Sequence, residues 1–380
     1  MRYNIKNFLT IDSLKILTIS LYITMNFIDR SISNIFLILA LILTLIDYKK
    51  VYESIIIHKS IYISVVLFTL WIIFVGNLHQ APANELDNYF RLILLLPLLS
   101  IKYDEEILAK ILMYSVFLAT LHFAYSYSTG LEERYIGTAS NQITYANMLI
   151  TFLILFIFFI TTNNEKKNLI YWICIFLLTY FWFLTGTRGP LIGLIVASLL
   201  IIFWSKNKQV VFTSVLIGLL IIFTSNPLSD RMSNLYTLDT VNPEKITHQS
   251  LKERISYIKY GIDVIQRSPL YGLGPHNIEP DMELYFTKNN ISSTSRDHLH
   301  NEFIDISAKF GVFSAILLIL CYISFYLSPH QLNKRIVALL LISLILSQLT
   351  QSHFAHHQAI TFFITLIYLM INKTDNIKIL

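Results

Sequence analysis

The sequence predicts an all-α, polytopic membrane protein with about twelve transmembrane helices and one large polar loop. The first observation is composition: 54% of the residues are hydrophobic and 14% are charged, whereas soluble domains carry roughly 25% charged residues. The second is a mean hydropathy of +0.58. The third is the number of long apolar runs, since one helix needs about 20 apolar residues to cross a bilayer.

Twelve apolar segments are the candidate helices. They lie at 13–28, 33–47, 60–77, 89–101, 106–127, 143–162, 169–185, 188–204, 209–224, 302–327, 335–350 and 356–371. The fourth is short and contains Pro97, which predicts a kinked or tilted helix. The chain therefore divides into nine helices over 1–224, a large loop over 225–301, and three helices with a C-terminal tail over 302–380.

Lysine and arginine in the loops predict the orientation. One set of loops and ends carries Arg2, Lys6, Lys15, Lys49, Lys50, Lys59, Lys102, Lys110, Lys166, Lys167, Lys206, Lys208, Lys334, Arg335, Lys373 and Lys378. The opposite short loops carry only Arg30, Arg91, Arg134 and Arg188. Both termini are therefore expected in the cytoplasm and the large loop outside. Because that loop is basic, it indicates an anionic partner, with lipid headgroups as the plain alternative.

Within the large loop, "LKERISYIKYGIDVIQRSPLYGLG" has helical periodicity. One face carries Leu251, Ile255, Ile258, Ile262 and Ile265, and this face is expected to lie on the membrane. Arg254, Tyr257 and Gly261 form a neighbouring stripe. Pro269 ends the helix, and Gly272 and Gly274 make a turn.

The segment "TGTRGPLIGL" lies at the outer junction of two candidate helices and holds Arg188. Gly186 and Gly189 permit close backbone approach, and Pro190 suits a first helical turn. An arginine at this depth is costly unless it is paired. Its guanidinium suits phosphate; the alternative is a headgroup anchor, which is the commoner role for a single arginine at a helix end.

The segment "SRDHLHNEFIDISAKFG" concentrates titratable residues before an apolar helix. His298 and His300 point apart on a helix but share a face in an extended segment. Histidine is suited to proton transfer near neutral pH, so His300, at the entrance of the helix, is the expected base. Glu302, Asp305 and Lys309 follow at helical spacing and are expected to orient or neutralise one another.

No cofactor or metal is expected. The five histidines of this region, at 298, 300, 353, 356 and 357, match no metal-ligand spacing. Cys174 and Cys321 lie in apolar runs, which indicates buried side chains and no disulfide framework. There is no P-loop and no paired acidic motif of a metal-dependent sugar-nucleotide transferase. An external site has no nucleotide available, so the substrate is expected to arrive activated, as a lipid-linked pyrophosphate.

Several of these segments resemble the O-antigen ligase family of Gram-negative inner membranes, which groups with O-antigen polymerases and O-linked oligosaccharyltransferases. "HNEFIDISAKFG" fits the family pattern of His-Asn, nine residues, then Gly, at His300, Asn301 and Gly311. "TGTRGPL" resembles the outer arginine motif, at Arg188. "ERISYIKYGIDVIQRSPLYGLG" resembles the loop segment with Arg254, and "IGTASNQITYANMLI" a polar lead-in to a span.

The resemblance implies a metal-independent, inverting glycosyltransferase with a GT-C-like helical architecture and a periplasmic active site. The donor would be O-antigen on undecaprenyl pyrophosphate, and the acceptor a sugar hydroxyl of lipid A-core, in lipopolysaccharide biosynthesis at the inner membrane. His300, Arg188 and Arg254 would be catalytic. Substrate contacts would come from Asn301, His298, Arg267 and Tyr257. Besides the two lipid substrates, membrane lipids are expected partners and nucleic acid is not.

Two other functions stay open. An O-antigen polymerase would share these motifs and differ in its acceptor, a second lipid-linked glycan. A polysaccharide transporter or flippase would be favoured by charges within the spans. The candidate spans are nearly free of charge, with Lys309 the main exception, which favours an enzyme over a conduction path.

Overall fold

The computed structural model describes residues 10–102, 105–128, 142–162, 169–187, 189–204, 249–289, 291, 298–328 and 331–372. Within these ranges every regular element is a helix and no strand occurs, so the all-α class is confirmed. The candidate span 209–224 and the lead-in 136–141 lie outside the described residues.

Fifteen α-helices are present in the described ranges. They are α1 Ile11–Met25, α2 Arg30–Ile46, α3 Tyr48–Ile57, α4 Lys59–Leu78, α5 Arg91–Leu94, α6 Glu105–Ser128, α7 Gln142–Thr162, α8 Leu169–Thr185, α9 Pro190–Trp204, α10 Gln249–Arg267, α11 Ile278–Lys288, α12 Glu302–Phe310, α13 Val312–Leu327, α14 Gln331–Gln348 and α15 His357–Ile371. Short 3₁₀ turns cover Ala83–Glu85, Leu96–Ser100 and Pro275–Asn277.

Helices α7 and α15 form the centre of the bundle. In α15 every residue from Gln358 to Ile371 is buried, and in α7 94% of the residues of the apolar stretch are buried. Phe27 at the end of α1 packs on Phe152 of α7 with ring centroids 5.0 Å apart, and Phe152 packs on Phe362 of α15 at 5.6 Å. A helix that is apolar on every side is stable only when other helices or lipid surround it.

The outer helices expose apolar side chains, which indicates a membrane protein. Ile35, Ile38 and Ile42 of α2 and Leu67 and Leu70 of α4 are each 49% exposed or more. By length and composition, α4 and α7 can each cross a membrane, and α2 with α3 would make a third span despite an 87° bend. Six further apolar stretches are shorter. The expected count of twelve spans is therefore not confirmed.

The predicted fourth helix, 89–101, is present as two short pieces, and the break lies beside Pro97, where a kink was predicted. The pieces are α5 over Arg91–Leu94 and a 3₁₀ turn over Leu96–Ser100. Pro97 lies at the start of that turn and cannot donate a backbone hydrogen bond, which explains the break. The predicted loop at 48–59 contains helix α3, which the sequence analysis did not anticipate.

The predicted helix 302–327 is also not continuous, because it breaks at Gly311 between α12 and α13. Gly311 has φ of 82°, and a Cβ there would lie 1.8 Å from the carbonyl oxygen of Leu270. The amide of Val312 donates to the carbonyl of Pro269 at 2.8 Å. The turn after α10 therefore occupies the space that a continuous helix would need, and only glycine fits the contact.

The described part of the large loop, which includes α10 and α11, forms a small helical unit that packs on α12. Helix α10 ends at Arg267, before Pro269, as predicted. Tyr257, Tyr260 and Val264 of α10 are buried against Ile278, Met282 and Phe286 of α11, together with Leu299 and Ala308. The unit has its own apolar cluster, which fixes α10 relative to the histidine segment.

The face of α10 that packs against the protein is the stripe beside the predicted membrane-facing side, and that membrane-facing side stays partly exposed. Ile255 and Ile262 of the predicted apolar face are 39% and 46% exposed. The stripe of Tyr257 and Gly261 is buried. Gly261 allows this approach, since a Cβ there would lie 2.3 Å from Ile304 Cγ2 and 2.9 Å from Leu299 Cδ1. A missing side chain lets two helices approach more closely, which hydropathy periodicity does not register.

Candidate functional site

Two histidines lie directly before α12, and their rings are in contact. The ring centroids of His298 and His300 are 4.4 Å apart, so the two side chains share a face as expected for an extended segment. His298, a predicted substrate contact, is 5% exposed, and His300 is half-buried. His300 has φ of 54°, a conformation that costs free energy in a non-glycine residue and often occurs at functional sites.

Gln351 joins these histidines to the segment between α14 and α15. Its Oε1 lies 2.9 Å from His300 Nδ1. Its Nε2 lies 3.0 Å from His298 Nε2 and 2.9 Å from His356 Nε2. Gln351 is 2% exposed, so one buried amide contacts three imidazole rings.

Gln351 is a site residue that the sequence pattern did not predict, and His356 was predicted only as a possible metal ligand. A signal was present in "TQSHFAHHQ", a polar, histidine-rich segment between two apolar helices. Sequence alone could not assign it to the site, because 51 residues separate His300 from Gln351.

Carboxylates of α12 hold both segments in place. Asp305 Oδ1 accepts from the amide of Leu299 at 3.0 Å, and its Oδ2 pairs with Lys309 Nζ at 2.8 Å. Glu302 Oε2 accepts from the amide of Phe354 at 2.9 Å. Asp305 and Glu302 are both fully buried. The pairing of Asp305 with Lys309 was predicted, whereas the two backbone contacts, which anchor the histidine segment and the Gln351 segment to one helix, were not.

Asn301 is the N-cap of α12. Its Oδ1 accepts from the amide of Ile304 at 3.1 Å, and its Nδ2 donates to the carbonyl of Leu349 at 3.2 Å. N-cap asparagine satisfies an amide that the helix leaves open. The His-Asn pair therefore has a structural explanation: Asn301 starts the helix that holds His300.

Helix α10 brings the second motif to the histidines. The rings of Tyr257 and His300 have centroids 5.2 Å apart, and Tyr257 is 1% exposed. Arg254 lies one turn before Tyr257 on the same side of α10, because residues three apart on a helix are neighbours, and it is half-buried. The structure therefore brings Tyr257 into contact with His300, and Arg254 lies one helical turn from Tyr257.

The third motif reaches the same region from α8 and α9. Arg188 itself lies outside the described residues, but its neighbours are described. Thr187 is 4% exposed, and its carbonyl accepts from Trp182 Nε1 at 3.0 Å. A Cβ at Gly189 would lie 2.9 Å from Thr350 Oγ1. The segment that carries Arg188 therefore contacts the residue next to Gln351.

Arg267, a predicted substrate contact, forms ion pairs within the loop unit. Its guanidinium donates to both carboxylate oxygens of Asp281, with Nη1 3.1 Å from Oδ1, and its Nε lies 2.9 Å from Asp263. The Arg267 guanidinium beside Asp281 lowers the pKa of that carboxyl, against the raising effect of burial. Arg267 thus ties α10 to α11, and the structure does not bring it together with His300.

Among the described residues, no group of three or more His, Cys, Asp or Glu side chains is arranged to hold a metal ion. His353, one of the five histidines considered as ligands, is buried and lies 2.5 Å from Ser347 Oγ through its Nε2. His298, His300 and His356 instead contact the Gln351 amide. The arrangement can accept a proton at a half-buried imidazole, in the neighbourhood of two arginine-bearing segments.

Comparison with known proteins supports the resemblance. Residues 173–319 match the model of a family described as O-Antigen ligase. This range contains Arg188, α10 and the His298–His300 segment, so the resemblance predicted from the sequence is confirmed over it. An uncharacterized protein of Haemophilus influenzae (strain ATCC 51907 / DSM 11121 / KW20 / Rd) is 26% identical over 308 residues, which cover 74% of this chain and 77% of that protein.

Proposed function

We propose, from the match of residues 173–319 to the O-antigen ligase model, that this protein is a glycosyltransferase of bacterial lipopolysaccharide biosynthesis. It transfers O-antigen from undecaprenyl pyrophosphate to a sugar hydroxyl of lipid A-core. The site faces the periplasm, and the protein lies in the inner membrane with both termini in the cytoplasm. One observation carries the proposal: the three motif segments converge, with Tyr257 against His300, His300 bonded to Gln351, and Gly189 against Thr350.

His300 is the general base. A base needs a ring that is held in place yet reachable by substrate. His300 fits, since its Nδ1 is bonded to Gln351, its ring packs on Tyr257 and it is half-buried. His298 fits less well, because it is 5% exposed and its Nε2 faces the Gln351 amide nitrogen.

Arg188 and Arg254 stabilise the leaving group. Negative charge grows on the pyrophosphate as the glycosidic bond breaks, and a guanidinium can bind phosphate oxygens through two N–H donors. Both arginines belong to segments that reach the histidine site, through Gly189 for Arg188 and through Tyr257 for Arg254. Positive charge from side chains makes a metal unnecessary for this step.

The proposed reaction is a single displacement. His300 removes the proton from the acceptor hydroxyl, whose oxygen forms a bond to the anomeric carbon of the donor. The bond from that carbon to the phosphate oxygen breaks, and its electron pair leaves with undecaprenyl pyrophosphate. Attack from the face opposite the leaving group inverts the anomeric centre. The buried α10 face against Leu299 and Ile304 holds the loop unit over the site.

The acceptor distinguishes this function from that of an O-antigen polymerase. Purified protein is given lipid-linked O-glycan with lipid A-core, and separately with lipid-linked O-glycan alone. Glycan on lipid A-core is the expected product. Lengthened lipid-linked glycan without any core product would assign the protein as a polymerase, and no product with either acceptor would contradict a transferase. A vesicle assay for flipping of lipid-linked glycan is the control for a transporter.

A further inference from the structure

The Gln351 side chain directs both its amide oxygen and its amide nitrogen at histidines, three rings in all. An amide group has one oxygen that accepts and one nitrogen with two N–H donors. The oxygen faces His300 Nδ1 at 2.9 Å, and the nitrogen faces His298 Nε2 at 3.0 Å and His356 Nε2 at 2.9 Å. Gln351 is 2% exposed, so its amide is shielded from solvent and dictates what each ring can present at these contacts.

The amide oxygen requires a proton on His300 Nδ1, because two acceptors cannot bond to each other. The amide nitrogen requires lone pairs on the Nε2 atoms of His298 and His356. A neutral imidazole carries one proton, and the partner of one ring nitrogen decides which nitrogen holds it. His300 therefore presents a lone pair on Nε2, and the other two rings carry their proton on Nδ1.

This arrangement makes the three rings chemically different. When His300 accepts a proton on Nε2, its Nδ1–H hydrogen bond to Gln351 is kept, so the imidazolium forms without losing this contact. A proton on His298 Nε2 would point at an amide N–H, so that ring is held neutral. This matters because the rings of His298 and His300 are 4.4 Å apart, and a second positive charge there would disfavour proton uptake by His300.

We propose that Gln351 is the positioning residue that sets the tautomer of His300, keeps His298 and His356 neutral, and so selects His300 as the proton acceptor. The part that concerns catalysis rests on the proposed function. The segment that carries Gln351 is held on both sides. The Glu302 carboxylate accepts from the backbone N–H of Phe354 at 2.9 Å, and Gly189 packs on Thr350. A shift of this segment would release all three rings together.

The first test measures tautomers and needs no substrate. Full-length protein with ¹⁵N-labelled histidine is purified in detergent, and the Nδ1 and Nε2 shifts are recorded by NMR over a pH series. His300→Asn identifies the His300 signals. We expect wild-type His300 to be protonated on Nδ1 and Gln351→Leu to show a mixture of tautomers. Wild-type His300 protonated on Nε2, or a His300 tautomer unchanged in Gln351→Leu, would overturn the proposal.

A matched control is Gln348→Leu. Gln348 is also buried, lies close by in sequence at the end of α14, and exchanges hydrogen bonds of 2.8 and 3.0 Å with the Tyr322 hydroxyl. Gln348→Leu should reduce the thermal midpoint to a degree similar to that of Gln351→Leu, without changing the His300 tautomer. If Gln351→Leu does not fold, Gln351→Glu replaces it. The carboxylate keeps the acceptor for His300 Nδ1 and removes both donors, so His298 and His356 should become protonated at higher pH than in the wild type.

The second test uses the transfer reaction. Gln351→Leu should lower kcat at least about tenfold, less than loss of the base itself, while KM for the donor changes less than threefold. Gln351→Glu should move the acid limb of the pH–rate profile to higher pH, because a carboxylate beside Nδ1–H stabilises the imidazolium. An unmoved limb in Gln351→Glu would overturn the catalytic part. If wild-type protein shows no transfer, the proposed function fails, and the NMR series still decides the tautomer.

Discussion

The ring of Tyr257 lies against the ring of His300, with centroids 5.2 Å apart. This contact joins helix α10 of the large loop to the histidine segment that precedes α12. Arg254 lies one turn from Tyr257 on α10 and is thereby brought close to the proposed base. The loop is consequently part of the site, and changes that move α10 should affect the reaction.

Gly261→Ala tests the packing of α10. Alanine in a helix is usually more stable than glycine by about 0.5–1 kcal/mol. Here the added Cβ would lie 2.3 Å from Ile304 Cγ2 and 2.9 Å from Leu299 Cδ1, so we expect lower stability and at least about tenfold lower transfer. Gly193→Ala is the control, since its nearest atoms lie 3.4 Å away at Ser343. Equal thermal midpoints and rates in the two variants would contradict the packing role.

Arg188→Ala and Arg254→Ala should each abolish transfer while the protein remains in the membrane. Loss of one charge-stabilising donor typically costs about a hundredfold to a thousandfold in rate. Lysine at either position should rescue poorly, because a point charge lacks the bidentate geometry. Lys49→Ala, at an exposed position, controls for net charge. Full activity in either alanine variant would remove that arginine from the mechanism.

His300→Ala should lower turnover by about a hundredfold to ten-thousandfold, the usual range for loss of a general base. Donor binding should be largely retained, because the arginines remain. His298→Ala should lower turnover much less. Wild-type activity should also decline on acidification as His300 protonates. The check is turnover and donor affinity in both variants; an inactive His298→Ala beside an active His300→Ala would reverse the assignment.

Transfer should be independent of added metal. Arginines supply the positive charge at the leaving group in the proposed mechanism, and the five histidines lack ligand spacing. The measurement is the transfer rate in EDTA, followed by addition of Mg²⁺, Mn²⁺ or Zn²⁺. Activity lost in EDTA and restored by one of these ions would show a metal requirement.

Arg267→Ala and Asp281→Asn decide between a substrate contact and an ion pair for Arg267. If Arg267 only ties α10 to α11, both changes should increase hydrogen exchange of α11 to a similar extent, with a loss of up to about 1 kcal/mol for this partly exposed pair. A raised KM for the donor in Arg267→Ala alone would instead support a substrate contact.

The pH dependence of this ion pair has a definite sign. Arg267 lowers the pKa of Asp281 below its ordinary value of 3.8. The folded state therefore binds this proton less readily than the unfolded state, and the stabilisation is present above pH 3.8 and lost as pH falls through the lowered value. In the wild type, protection of α11 from hydrogen exchange should therefore fall as pH falls through this value. In Asp281→Asn, which has no carboxyl at this position, that fall should be absent.

The sequence by itself determined the helical class, the motif segments and the local boundaries. Hydropathy predicted most helices, and Pro269 predicted the end of α10 at Arg267. Asp305 and Lys309, four apart, were expected to pair and do so at 2.8 Å. These features depend on residues close in the chain, whose spacing fixes their geometry.

Only the tertiary structure decided which residues complete the site. Gln351 contacts His300 across 51 residues, and Tyr257 of α10 reaches the same ring from another element. The break at Gly311 follows from contact with Leu270, and the pairing of Arg267 with Asp281 follows from the packing of α10 on α11. Side-chain partners distant in sequence are set by how whole helices pack, and an apolar pattern records only that a face is buried, not what lies against it.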